Sequence, residues 1–249
     1  SPFRQRPLTV GNSSNALVNF SIIERLLEER QLVLLLDYDG TLTPIVRDPA
    51  AALLPADVRA TLTELAKHFV VGVVSGRSLE KIRDFVKVDT LFYAGSHGFD
   101  IHAPAQRDGG DGVRYQVASE FLPVLQEVRE ESEEAVKEIS GASVEDNLFS
   151  ISLHYRNCAR ADVPRVAAIA REVQGRHAGI RLRSGKEVFE LQPDIEWNKG
   201  SAVVWLLGML GLGAGPDAAN GASAAAARPK VFTIFIGDDK TDEDAFCIF

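Results

Sequence analysis

No apolar run in this chain reaches the length of a membrane span, and its start, Ser1-Pro2-Phe3-Arg4, is not that of a signal peptide. Cysteine is scarce. Cys158 and Cys247 stand far apart with no metal-type spacing, so they read as free thiols in a reducing cytoplasm, the expected location. Positive charge is also short, 27 Lys and Arg against 35 Asp and Glu, for a formal net charge of -8. That balance argues against a nucleic-acid partner, and no membrane partner is expected. An anionic substrate must then be held by local cations or by a metal. What remains is ordinary globular composition, 45% hydrophobic and 25% charged, and 249 residues permit one large domain or two modest ones.

The chain is organised around Leu32-Val33-Leu34-Leu35-Leu36-Asp37-Tyr38-Asp39-Gly40-Thr41. Five unbroken apolar residues bounded by turn residues read as a strand buried on both faces, as in a parallel sheet. Asp37 and Asp39 then fall at its carboxyl end, the edge where open α/β sheets bind ligands. Tyr38 points away, and Gly40 permits a sharp turn. A lone Asp-x-Asp is more often a helix-capping turn; the apolar strand before it and Gly-Thr after it favour catalysis.

A helix is expected over Phe20–Glu29, and an amphipathic one over Asp57–His68. Phe69–Val74 reads as a second buried strand, ending in Ser75-Gly76-Arg77, with Ser78 as the N-cap of the next helix. Leu91–Ala94 is a third strand, ending at Gly95-Ser96-His97-Gly98. This alternation signifies a parallel α/β domain. After a polar loop at Gln106–Gly112 the pattern changes. Ser119–Ser140 is helical, Phe149–Tyr155 alternates like a half-exposed strand, and a helix starts at Asp162-Val163-Pro164. Ile180–Leu191 is strand interrupted by a turn at Ser184-Gly185. The expected architecture is an α/β, Rossmann-like parallel sheet core, residues 1–115 and 193–249, with an inserted α+β cap at 116–192. Lys199–Leu210 is helical, Gly211–Arg228 reads as a mobile loop, and Val231–Ile236 is a fourth buried strand ending in Gly237-Asp238-Asp239-Lys240-Thr241-Asp242.

Three apolar strands thus end in Asp37, Ser75 and Asp238, and Lys199 starts a helix after the insertion. These are parts for phosphoryl transfer. Asp37 and Asp238 are suited to Mg²⁺, which takes one or two carboxylates plus substrate phosphate. A carboxylate is also a nucleophile towards phosphorus, and Lys199 with the metal offsets charge repulsion. Ser75 has a hydroxyl for a phosphoryl oxygen. Taken singly, Ser75-Gly76-Arg77 is more often a plain helix start and a lone lysine a solvated surface charge. Their order and spacing after buried strands give the set its weight.

Asp37-Tyr38-Asp39-Gly40-Thr41-Leu42 resembles the first motif of the haloacid dehalogenase-like phosphatases. Gly95-Ser96-His97-Gly98, Ser152-Leu153-His154-Tyr155-Arg156, Gly185–Pro193, Trp197-Asn198-Lys199-Gly200 and Gly237–Phe246 narrow the resemblance to trehalose-6-phosphate phosphatases, from about residue 30 onward. The resemblance implies a Mg²⁺-dependent phosphatase acting on trehalose 6-phosphate through an aspartyl-phosphate. Asp37 is implied as nucleophile and metal ligand, and Asp39 as general acid/base with a ligating carbonyl. Ser75 and Lys199 are implied as the phosphate-binding pair, Asp238 as a further ligand, and Asp239 and Asp242 as support for the metal shell. Gly76, Arg77 and His97 line the implied substrate site, and Glu145, Arg156, Lys186 and Glu190 are the cap's candidates for reading the sugar. The bland alternative for Glu145 and Glu190 is exposed strand carboxylates paired with Arg156 and Lys186, and for His97 a structural turn residue. Two departures stand out: Asn198 replaces an aspartate, and no lysine follows Glu145 in Asp146-Asn147-Leu148. Relatives also continue with more sheet and helix after the last motif. Association with a trehalose-6-phosphate synthase, a related sugar phosphatase acting on sucrose phosphate, and a non-catalytic sugar-phosphate-binding domain stay open; intact Asp37 and Asp39 disfavour the last.

Overall fold

A computed structural model describes residues 15–28, 30–46, 48–105, 112–212 and 231–248. The loop expected at Gln106–Gly112 lies outside them except for Gly112, and so does the one at Gly211–Arg228 after Leu212.

The organising stretch forms β1 (Gln31–Leu36), paired in parallel with β2 (Val70–Val74) on one side and β10 (Val231–Ile236) on the other. Its apolar residues serve two faces. Val33 and Leu35 pack with Val203 and Leu206 of α6 (Lys199–Met209), while Leu36 and Leu34 pack with residues of α2 (Ala56–His68) and α3 (Leu79–Val86). Helices on both faces explain why the run is continuously apolar rather than alternating. β3 (Phe92–Gly95) continues the parallel sheet beside β2. α1 (Phe20–Leu27) precedes β1.

The sheet then departs from the expected pattern. β4 (Asp100–Ala103) and β5 (Val113–Gln116) add antiparallel, giving the order β10-β1-β2-β3-β4-β5. Both strands are four residues long and carry mixed side chains, so no periodicity announced them. β10 was expected to be buried, but among the described residues it is the outermost strand of the sheet and its residues are partly exposed, with Ile236 48% exposed.

The inserted unit is a second sheet, order β6-β7-β9-β8, of β6 (Ser143–Asp146), β7 (Ile151–His154), β8 (Ile180–Gly185) and β9 (Val188–Pro193). All its pairings are antiparallel. It is backed by α4 (Leu122–Val136) and α5 (Val163–Arg176). The β8–β9 turn is Lys186-Glu187, because Gly185 pairs with Val188; Ser184 and Gly185 still belong to the strand. β7 is not half-exposed as its alternation suggested. Ile151 and Leu153 enter the unit's apolar core, and Ser150 and Ser152 on the other face are buried as well. The polar face turns toward a cleft instead of solvent, with Ser152 and His154 on its wall.

The two sheets share packing. Phe99, just before β4, belongs to the inserted unit's core and stacks on Phe149 with ring centroids 5.9 Å apart. Both rings are fully buried. Truncating Phe149 to Ala removes that stack and leaves a cavity at the junction. Urea unfolding of Phe149→Ala is expected to show a loss of about 3–5 kcal/mol; a loss below about 1 kcal/mol would show that the junction is not a shared core.

Candidate active site

In an open α/β sheet the crevice forms where successive connections leave a strand in opposite directions. Here that point lies between β1 and β10, at their carboxyl ends. Asp37 follows β1, and its N–H donates to Ile236 O at 2.9 Å, locking the two strand ends together. Its carboxylate is buried and accepts from Lys199 Nζ at 2.6 Å through Oδ1. Lys199, the first residue of α6 and 3% exposed, also donates to Asp242 Oδ1 at 2.7 Å. Asn198 caps that helix, its Oδ1 accepting from Ser201 N at 2.9 Å, so the asparagine does the capping work an aspartate does.

Burial dominates the electrostatics of Asp37 and pushes its pKa up to about 6, with Lys199 opposing the rise and Asp242 adding to it. Burial alone would lower the pKa of Lys199. The two carboxylates outweigh it and hold the ammonium above its ordinary value.

Asp242 is fully buried and organises the third loop. Its Oδ2 accepts from the backbone N–H of Asp238 at 3.1 Å and of Asp239 at 2.9 Å. Carboxylate oxygens of Asp37, Asp238 and Asp242 lie within 4.8 Å of one another. Gly40 makes room for this: its φ is +95°, and a Cβ there would stand 2.2 Å from Asp238 Oδ2. Asp239 lies outside the triad, and its Oδ1 accepts from Lys240 N at 2.5 Å. The three-carboxylate set fits a hard, oxygen-preferring divalent cation.

Asp39 is held from the second loop. Arg77 donates to it through Nε and Nη2, both at 2.7 Å, a bidentate pair. The guanidinium is buried over the rings of Tyr38 and Phe85. Ser75 is also buried, and its Oγ accepts from Arg77 N at 3.1 Å. The Ser75 carbonyl accepts from His97 N at 2.9 Å. Ser96, His97 and Gly98 all have positive φ, a strained turn held by these bonds and by Ser96 N donating to Arg77 O at 2.7 Å. The His97 ring lies against Gly76, where a Cβ would meet its Cε1 at 2.8 Å.

One cleft is walled by both sheets. Asp37, Asp39, Gly76, Arg77, His97 and Lys199 line it from the α/β side, and Glu145, Arg156, Lys186 and Glu190 from the inserted unit; Asp239 lines it too. Ser75, Asp238 and Asp242 stand outside that lining. All four sugar-reading candidates have partners within the protein. Glu190 is buried and accepts from His97 Nε2 at 2.9 Å; burial would raise its pKa, but the neighbouring His97 reverses this and lowers it. Lys186 reaches across to Asp238 Oδ2 at 2.6 Å. Arg156 donates to Val46 O at 2.8 Å and to Lys186 O at 3.1 Å, and it pairs with Glu187 at 2.9 Å, so it braces the hairpin against the loop after β1.

Sequence reasoning missed Lys81, His154 and Asn147. Glu145 accepts from Lys81 Nζ at 3.0 Å through Oε1 and from His154 Nε2 at 2.9 Å through Oε2. Asn147 Oδ1 accepts from Ser78 N at 3.2 Å. A signal for His154 existed, since it shares β7's polar face with Ser152; Lys81 gave none, being one lysine on an amphipathic helix.

A mostly parallel sheet with this acidic edge and an α+β unit packed against it is the architecture of haloacid dehalogenase-like phosphatases. Residues 35–249 match the trehalose-phosphatase family model, and the chain belongs to that family. It is 40% identical over 253 residues to the probable trehalose-phosphate phosphatase 2 of Oryza sativa subsp. japonica, covering 95% of this chain and 63% of that protein. The chain thus spans about 63% of the length of that relative. A trehalose-6-phosphate phosphatase related protein of known structure is similar, with TM-score 0.68, 27% identity, and 86% of this chain and 81% of that one covered. The Candida albicans trehalose-6-phosphate phosphatase C-terminal domain shares the fold, with TM-score 0.71, 24% identity, and 91% and 76% covered. Among the described residues no helix is long and apolar enough to cross a membrane.

The site makes a pH prediction. Burial would raise the pKa of Glu145, but the His154 hydrogen bond and the Lys81 charge outweigh it and bring it from 4.5 down to about 2. A folded-state value below the unfolded one stabilises the fold fully above pH 4.5, and that contribution is lost as pH falls toward 2. At most it is ~3 kcal/mol. Urea unfolding should therefore show Glu145→Gln costing most at neutral pH and progressively less below pH 4. A cost independent of pH would contradict the ion-pair account.

Proposed function

We propose that this chain hydrolyses a sugar phosphate, trehalose 6-phosphate, in two steps through a phosphoryl group carried on Asp37. The observation that carries the reading is the Asp37–Lys199 pair, backed by the buried Asp242, facing a cleft whose far wall supplies Glu145 and Glu190. Asp37 attacks phosphorus with its free oxygen while Lys199 holds the other in line. Asp39, oriented by Arg77, protonates the leaving sugar oxygen and then takes a proton from the water that releases phosphate. Asp37, Asp238 and Asp242 would hold Mg²⁺, with the Asp39 carbonyl as a further ligand and Asp239 beside them. Bound there, the ion supplies charge stabilisation for the transferring phosphoryl group. Lys199 adds a fixed positive charge on the same side, and the Ser75 hydroxyl, in the adjacent loop, would donate a hydrogen bond to a phosphoryl oxygen. The unit at 116–192 acts as the cap that reads the sugar, with Glu145 and Glu190 accepting from its hydroxyls and His97 keeping Glu190 in place. A trehalose-6-phosphate synthase as partner, and a cytoplasmic location, rest on the family resemblance and composition alone.

The test is phosphate release from trehalose 6-phosphate, sucrose 6-phosphate and glucose 6-phosphate. Trehalose 6-phosphate should be the preferred substrate. A chelator should abolish activity and Mg²⁺ restore it, and Asp37→Asn should remove essentially all turnover. Equal rates on all three sugars would refute the substrate, and full activity without metal would refute the cation.

The contacts also separate two cap residues. Glu190→Gln should lower kcat/KM for trehalose 6-phosphate by roughly 10- to 150-fold, the worth of one charged hydrogen bond, and act less on p-nitrophenyl phosphate. Lys186→Ala should instead affect both substrates, because Lys186 sits on Asp238. Steady-state kinetics that reversed these two patterns would contradict the assignment.

A further inference from the structure

The expected lysine after Glu145 is absent, yet an ammonium stands on that carboxylate, and it comes from the other side of the cleft. We infer that Lys81, on the first turn of α3, is a positioning residue for sugar recognition: it fixes Glu145 in the cleft when the cap is docked on the core.

Lys81 uses its three N–H donors on one stretch of the cap. Nζ lies 3.0 Å from Glu145 Oε1, 2.6 Å from Asp146 O and 3.3 Å from Asn147 Oδ1. The same stretch is pinned by Ser78 N on Asn147 Oδ1 and by Ser96 Oγ on Asn147 O. Lys81 thus belongs to a joint between the two units. An exposed lysine–carboxylate pair alone would be worth little. Here the ammonium also satisfies a backbone carbonyl and a buried amide, so its place is determined by three acceptors.

The consequence falls on Glu145. β6 is an edge strand, so its side chains have strand neighbours on one side only. Lys81 takes one donor site on Oε1, and His154 takes one on Oε2. Each oxygen keeps a lone pair for a sugar hydroxyl. Glu145 lines the cleft and Lys81 does not, so Lys81 acts through the carboxylate. Since α3 belongs to the core and β6 to the cap, Glu145 is fully held only in the docked arrangement. Recognition of the distal sugar is then coupled to closure.

This inference rests on the reading of Glu145 as a hydroxyl acceptor, and the test separates the two. Lys81→Met, Lys81→Arg, Glu145→Gln and the Lys81→Met/Glu145→Gln double variant are assayed on trehalose 6-phosphate and p-nitrophenyl phosphate. Lys81→Met should raise KM for the disaccharide phosphate and lower the ratio of kcat/KM between the two substrates about tenfold. Lys81→Arg should recover part of that ratio. The double variant should be no worse than Glu145→Gln alone, since neighbours acting through one contact are not additive. If Glu145→Gln lowers the ratio while Lys81→Met does not, or if the two losses multiply in the double variant, the role of Lys81 is overturned and that of Glu145 stands. If Glu145→Gln leaves the ratio unchanged, the reading of Glu145 fails and this inference with it.

Discussion

A single buried ammonium holds the functional edge of this protein together. Lys199 lies between Asp37 and Asp242, at 2.6 and 2.7 Å, almost wholly out of water. Removing one partner from such an array leaves an uncompensated buried charge, so the three groups fix one another. Through Asp37 the ammonium locates the end of β1. Through Asp242 it locates the loop after β10, whose amides bind the second oxygen of that carboxylate. Lys199 itself is placed by α6, which packs beneath β1. The sheet core, the proposed nucleophile and the candidate cation site are therefore one mechanical unit.

The second constraint is the joint between cap and core. Its bonds fall in three places around the cleft: Lys81 and Ser78 on the β6–β7 turn, His97 on Glu190, and Arg156 and Lys186 on the loops after β1 and β10. The Phe99–Phe149 stack supports them from behind. An inserted unit tied at these points brings two carboxylates, Glu145 and Glu190, to the same cavity as Asp37, Asp39 and Lys199, the arrangement on which the proposed reading of phosphate and sugar in one place rests.

Much of this was legible in the residues. The apolar stretches of β1 and β2 named their strands, and Ser78 named the start of α3, where its side chain accepts from Lys81 N. The first-motif carboxylates and Lys199 were legible because each followed a strand or opened a helix at the matching point. What stayed hidden depended on distant partners. Nothing local said that Arg77 would bind Asp39, 38 residues away, or that Lys186 would reach Asp238. β7's alternation was real, but its polar face meets a cleft instead of bulk water, which no local pattern distinguishes. β10 read as buried because composition does not reveal whether a strand is central or at an edge. β4 and β5 were too short for periodicity to act.

The central claim is that Asp37 attacks phosphorus. Its most direct test is acid quenching of the enzyme during steady-state turnover of trehalose 6-phosphate, followed by mass spectrometry of the peptide containing Asp37. The account predicts a phosphoryl group on Asp37, released by hydroxylamine and absent from Asp37→Asn. Turnover with no phosphorylated Asp37 under conditions where Asp39→Asn also fails to trap it would contradict the account.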